Sequence, residues 1–121
     1  MFKQEGYDLV GAAFEVYNEM GGGLLEEIYQ QCLEEELSIR KITFESKKEL
    51  AVWYKKKKLA KTYIPDLYVF NGIMAELKAV RKITEEHQAQ LLNYMRITQT
   101  KVGYIINFGD LNDLEWERYV I

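Results

Sequence analysis

A chain of 121 residues has room for one domain around one sizeable core. Hydrophobic residues make up 48% of it and Pro65 is the only proline, which excludes a disordered or linker-rich assembly. The formal charge of −3 excludes a protein that binds nucleic acid by overall basicity, so any phosphate-contacting surface must be a local patch.

One cysteine, Cys32, excludes an internal disulfide and a multi-cysteine metal site. It reads as a buried helix residue in a reducing compartment. Met1 to Glu5 lack the apolar stretch of a signal peptide, and no run approaches a membrane span. The expectation is a cytoplasmic protein with no membrane segment.

In chain order, Asp8 is placed to cap a helix in which Val10, Ala13, Phe14, Tyr17 and Met20 recur at helical spacing. Gly21-Gly22-Gly23 ends it. Without a preceding strand or a following lysine this is a turn between helices rather than a phosphate cradle. The next helix is expected from Leu24 to Arg40, turning Leu25, Ile28, Tyr29, Cys32, Leu33 and Leu37 inward. Glu26 shares a face with Tyr29 and Leu33, which sets one acid at the margin of the apolar stripe. Two strands are expected from Thr43 to Tyr54 and from Lys58 to Ile64. The lysines between them fit a solvated hairpin tip, with phosphate contact as the second reading.

The stretch from Ile64 to Val80 carries the densest signal. Two apolar-rich runs flank Asn71-Gly72, a β-hairpin signature. A two-residue loop would set Asp66 opposite Leu77. A three-residue loop, Phe70-Asn71-Gly72 with Gly72 left-handed in a bulge, sets Asp66 opposite Glu76. Only the second register gathers Leu67, Val69, Ile73, Ala75 and Leu77 on one face, with Asp66, Tyr68, Met74, Glu76 and Lys78 on the other, so it is the one expected. Two carboxylates near 4 Å apart repel by about 4 kcal/mol at an effective dielectric of roughly 20. A divalent cation reverses that sign, and oxygen ligands suit Mg²⁺ or Mn²⁺. On the hairpin alone, a metal site and a solvated face with an incidental Glu-Lys pair both stand.

Thr84 is placed to cap a third helix, with Glu85 and Glu86 in its first turn. His87, Gln90, Leu91, Tyr94 and Thr98 fall on one side, so Gln90 and Tyr94 can reach one ligand. His87, lacking a histidine partner, reads as a helix-start hydrogen-bonding group. The nearly continuous apolar run from Val102 to Phe108 predicts a buried strand parallel to Ala75–Val80, in a right-handed βαβ unit. Leu114 to Ile121 reads as a final edge strand or docked tail.

Glu on a helix, then Pro65-Asp66, then Glu76-Leu77-Lys78, then a helix with Gln90 and Tyr94 resembles the PD-(D/E)xK nuclease superfamily. More narrowly, Gly23-Leu24-Leu25-Glu26-Glu27-Ile28-Tyr29 looks like the signature of the small bacterial and archaeal GxxExxY family. The likeness runs from about Val10 to Gly109. It implies an α/β fold with a restriction-endonuclease-like core, a mixed β-sheet flanked by helices. It implies Asp66 and Glu76 as metal ligands, Glu26 as the helix acid completing the cluster, Lys78 as the third active-site member, and Gln90 and Tyr94 as an accessory pair. The activity implied is Mg²⁺- or Mn²⁺-dependent hydrolysis of phosphodiester bonds in DNA. A catalytically silent binding or assembly module and a structure-selective nuclease working as a homodimer are the rival expectations. The chain departs from the family at Tyr17, where members often carry histidine.

Overall fold

The computed structural model describes all 121 residues. Helices α1 (Lys3–Met20) and α2 (Glu26–Ile39) are followed by strands β1 (Phe44–Ser46), β2 (Leu50–Tyr54), β3 (Lys57–Tyr63), β4 (Leu67–Val69) and β5 (Ile73–Lys78). Helix α3 (Glu85–Thr98) and strands β6 (Val102–Asn107) and β7 (Glu115–Val120) complete the chain. Five strands form one mixed sheet in the order β1-β4-β5-β6-β7, while β2 and β3 pair separately as a hairpin. Only β5 and β6 run parallel, joined by α3 in the expected βαβ unit. No helix is long and apolar enough to cross a membrane.

The β4–β5 register is the expected one: Leu67 faces Ala75, Tyr68 faces Met74 and Val69 faces Ile73. Leu67, Val69, Ile73, Ala75 and Leu77 all enter the main core, beneath Leu9, Ala13, Tyr29 and Leu33 of α1 and α2. The opposite face is not simply solvated. Met74 and Ile105 pack there against Leu91 and Met95 of α3, making a second, smaller core. Each sheet face therefore has its own helical cover, and every residue of β6 is buried between them.

Several boundaries depart from the sequence expectation. Helix α1 starts at Lys3 with Phe2 as its cap, six residues ahead of the start that an Asp8 cap would set, and Asp8 instead accepts a hydrogen bond from Gln4 Nε2 one turn back (2.9 Å). Gly6 within it lets the Tyr104 hydroxyl approach: an added Cβ would lie 1.8 Å from that oxygen. Helix α2 spans Glu26–Ile39 rather than Leu24 to Arg40; Leu25 becomes its cap and is exposed, as is Ile28, and Cys32 is only half-buried. The strand expected from Thr43 to Tyr54 breaks at Lys47, whose φ of 57° turns the chain out of the main sheet and into the hairpin.

In the β4–β5 loop the left-handed residues are Phe70 (φ 54°) and Asn71 (φ 55°), not Gly72. Gly72 is needed for space, since a Cβ there would lie 2.4 Å from the Phe2 ring.

Candidate active site

Pro65 is buried just ahead of β4, and its fixed φ delivers Asp66 to the sheet at a bend. The Asp66 backbone carbonyl accepts from Gln30 Nε2 (2.8 Å) and Lys47 N (3.4 Å). Its carboxylate accepts from the Leu77 amide at Oδ2 (2.8 Å) and from Lys47 Nζ at Oδ1 (3.3 Å). The acid is therefore fixed beside β5, one residue from Glu76, by backbone and side chain together.

Glu76 leaves β5 on the face turned toward α3, and its Oε1 accepts from the Tyr63 hydroxyl at 2.5 Å. Burial, foremost, pushes its carboxyl up to about 8. The Asp66 carboxylate acts in the same direction, repelling the ionised form and hydrogen-bonding the protonated one, while Tyr63 and Lys78 oppose the shift. Lys78 lies two residues along, on the same face.

Glu26, the first residue of α2, is raised from its ordinary value by burial and next by the charge of Asp66. Lys78 and Lys47 pull it the other way. Glu26, Asp66, Glu76 and Lys78 thus lie within one electrostatic neighbourhood, in which Asp66 and Lys78 each act on both glutamates. No three acidic, histidine or cysteine side chains converge as a complete metal-ligand set. The donors suit a hard divalent cation all the same: desolvated Glu76 lies beside the Asp66 carboxylate, and a cation there would offset the repulsion that raises Glu76.

From α3, Gln90 and Tyr94 line a cleft of about 40 Å³ together with Tyr63, Glu76, Lys78 and His87. That volume admits water or a small ion and excludes a nucleotide, so a polymeric substrate would have to lie across the mouth. The Tyr94 ring stacks on Tyr63, with centroids 3.7 Å apart and planes at 12°. At the start of α3 the Thr84 hydroxyl accepts from the His87 amide (3.3 Å), and His87 Nδ1 accepts from the Thr84 amide (3.1 Å), the helix-start role expected of this histidine.

Asn107 fixes the connection leaving Lys78. Its Oδ1 accepts from Val80 N (3.0 Å) and Gly109 N (3.0 Å), and its Nδ2 donates to Val80 O (2.8 Å) and Glu115 Oε1 (2.9 Å). Tyr17 donates from its hydroxyl to the Asp110 carbonyl at 2.5 Å.

Three residues around the site escaped the sequence reading. Gln30 had a visible signal, a polar residue three and seven positions before the buried Leu33 and Leu37 and itself buried. Lys47 lay within an assumed strand. Tyr63 was read only as part of the Lys58 to Ile64 strand; its contacts with Glu76 and Tyr94 join elements that no local pattern connects.

Residues 3–119 match the sequence model of the PD-(D/E)XK nuclease superfamily. The fold is similar to that in the crystal structure of SSO0001, with a TM-score of 0.62 and 16% identity over 98% of this chain and 60% of that one. The chain therefore spans 60% of that protein's length, and the likeness concerns fold alone. Among curated proteins, none matches.

Proposed function

The chain belongs to the PD-(D/E)XK nuclease superfamily, and on that premise we propose that it is a metal-dependent nuclease that hydrolyses phosphodiester bonds in DNA. The observation that carries this reading is Glu76, desolvated and set beside both Asp66 and Lys78, with its carboxyl pushed up to about 8. Asp66 and Glu76 would hold Mg²⁺ or Mn²⁺, with Glu26 reaching it directly or through water. When bound, such an ion supplies Lewis acidity toward the phosphate and lowers the pKa of an attacking water.

The protein's own groups do the rest. Asp66, anchored on the Leu77 amide, keeps its carboxylate in place without reorganisation. Lys78 presents an ammonium to the charge that develops on the phosphoryl oxygens. Gln90 offers an amide and Tyr94 a hydroxyl at the cleft wall, groups able to orient water or a phosphate oxygen. Tyr63 keeps Glu76 turned toward the cleft by its hydrogen bond.

The Gly23 to Tyr29 segment supports placement in the GxxExxY branch. In it Tyr29 is fully buried, donates to Gly21 O (2.5 Å) and accepts from Leu24 N (3.0 Å), which ties the glycine turn to the helix that presents Glu26. The proposed protein is a single cytoplasmic nuclease-like domain, active alone or as a homodimer.

The test is incubation with end-labelled single- and double-stranded DNA and RNA, with Mg²⁺, Mn²⁺ or chelator. Metal-dependent DNA products that fall by about 10²–10³ in Lys78→Ala are expected. Absence of product, or equal product from Lys78→Ala, favours the silent binding module, a reading supported by the incomplete ligand set. Gel-filtration mass measured alongside assigns the monomer or the dimer.

A further inference from the structure

The β2–β3 hairpin stands apart from the main sheet, and the chemistry above uses only its last residue. From Lys47 to Lys61 the chain concentrates seven of its 16 basic residues against one acid, Glu49, in a protein of formal charge −3. Two of the seven are engaged, Lys47 with Asp66 and Lys48 with Glu45. Lys55, Lys56, Lys57, Lys58 and Lys61 are all exposed and form no ion pair with any carboxylate. Guarding the edge of a two-stranded sheet accounts for a lysine on β3, but not for four in succession around the tip.

The position of the hairpin gives that charge a direction. Tyr63 ends β3, donates to Glu76 and stacks on Tyr94. The strand bearing Lys57, Lys58 and Lys61 therefore runs from a free basic tip straight into the candidate active site. Its length from Lys57 to Tyr63 is roughly 20 Å at about 3.3 Å per residue, or about six steps of duplex at about 3.4 Å each.

Resting on the nuclease reading, we propose that the β2–β3 hairpin is an arm that tracks the DNA backbone, its five free lysines neutralising successive phosphates on the way to the scissile one. Lysine ammonium groups on phosphates position a duplex without reading its sequence. The arm therefore confers affinity and approach direction, not base preference. It also offsets the repulsion between DNA and a protein that is acidic elsewhere.

Anisotropy of a fluorescein-labelled 20-base-pair DNA in chelator, titrated between 50 and 200 mM KCl, tests the arm without cleavage. Each phosphate contact on duplex adds about 0.9 to the slope of log affinity against log salt. The fivefold Lys→Gln variant at positions 55, 56, 57, 58 and 61 is expected to flatten that slope by at least about 2, and the fivefold Lys→Arg variant to keep it. Should the Gln variant fail to fold, Lys55→Gln with Lys56→Gln at the turn is expected to lose about 1.8. A slope unchanged to within about 0.5, or an equal loss in the Arg variant, overturns the arm. If that happens while the unsubstituted protein still cleaves DNA, the arm alone falls; if the unsubstituted protein neither binds nor cleaves, the nuclease reading falls with it.

Discussion

At Glu76 the fold holds a proton that the unfolded chain would release. Its carboxyl sits near 8 against an ordinary 4.5, so between those values the folded state binds more protons than the unfolded state. Stability without added cation is therefore expected to fall as pH rises through this window and to level off above about 8. Urea midpoints at acid, neutral and mildly alkaline pH check this, and Glu76→Gln should flatten the dependence. Tyr63 works in the opposite direction, since its hydrogen bond favours ionised Glu76. Tyr63→Phe is accordingly expected to push that carboxyl higher and shift the acid limb of the cleavage rate to more alkaline pH. Asp66, Glu76 and Lys78 were legible as one group from their spacing and register, whereas Tyr63, thirteen residues from Glu76 in sequence, was not. Alternation places a side chain on a face without naming what it will touch.

At the scale of elements, the β4–β5 pair was readable because one register alone sends Leu67, Val69, Ile73, Ala75 and Leu77 to a common core. The β1–β2 break was not, because it depends on a left-handed Lys47 whose carboxylate partner, Asp66, lies 19 residues away. The connection from β5 to α3 is held by tertiary bonds rather than by local preference. Asn107 makes four hydrogen bonds around it, and Glu115 also accepts from Ile83 N at 3.0 Å. Asn107→Ala leaves Val80 and Gly109 backbone groups without these partners. A loss of about 3 kcal/mol, or a fall in Tm of roughly 10 °C, is expected by differential scanning calorimetry.

Across the whole molecule, helices cover both faces of the mixed sheet, and Asp66 lies beside Glu76 where β4 and β5 pair, with Glu26 at the start of α2 within reach of the Asp66 charge. Chain length pointed to one core; the structure has two, because α3 buries Met74 and Ile105 on the face that also carries Glu76 and Lys78. That second cover desolvates Glu76 while leaving a small cleft, so below about pH 8 a cation would compete with the proton held there. With a Kd near ~1 mM, ~10 mM Mg²⁺ adds about 1.4 kcal/mol of stability. The gain should grow from pH 6 to pH 8.5 and vanish in Asp66→Asn, as thermal unfolding would record. The central claim is tested most directly by an anomalous difference map from crystals soaked in Mn²⁺. The account predicts one peak within coordination distance of both the Asp66 and the Glu76 carboxylates. A map with no peak there, or with manganese bound only elsewhere, would contradict it.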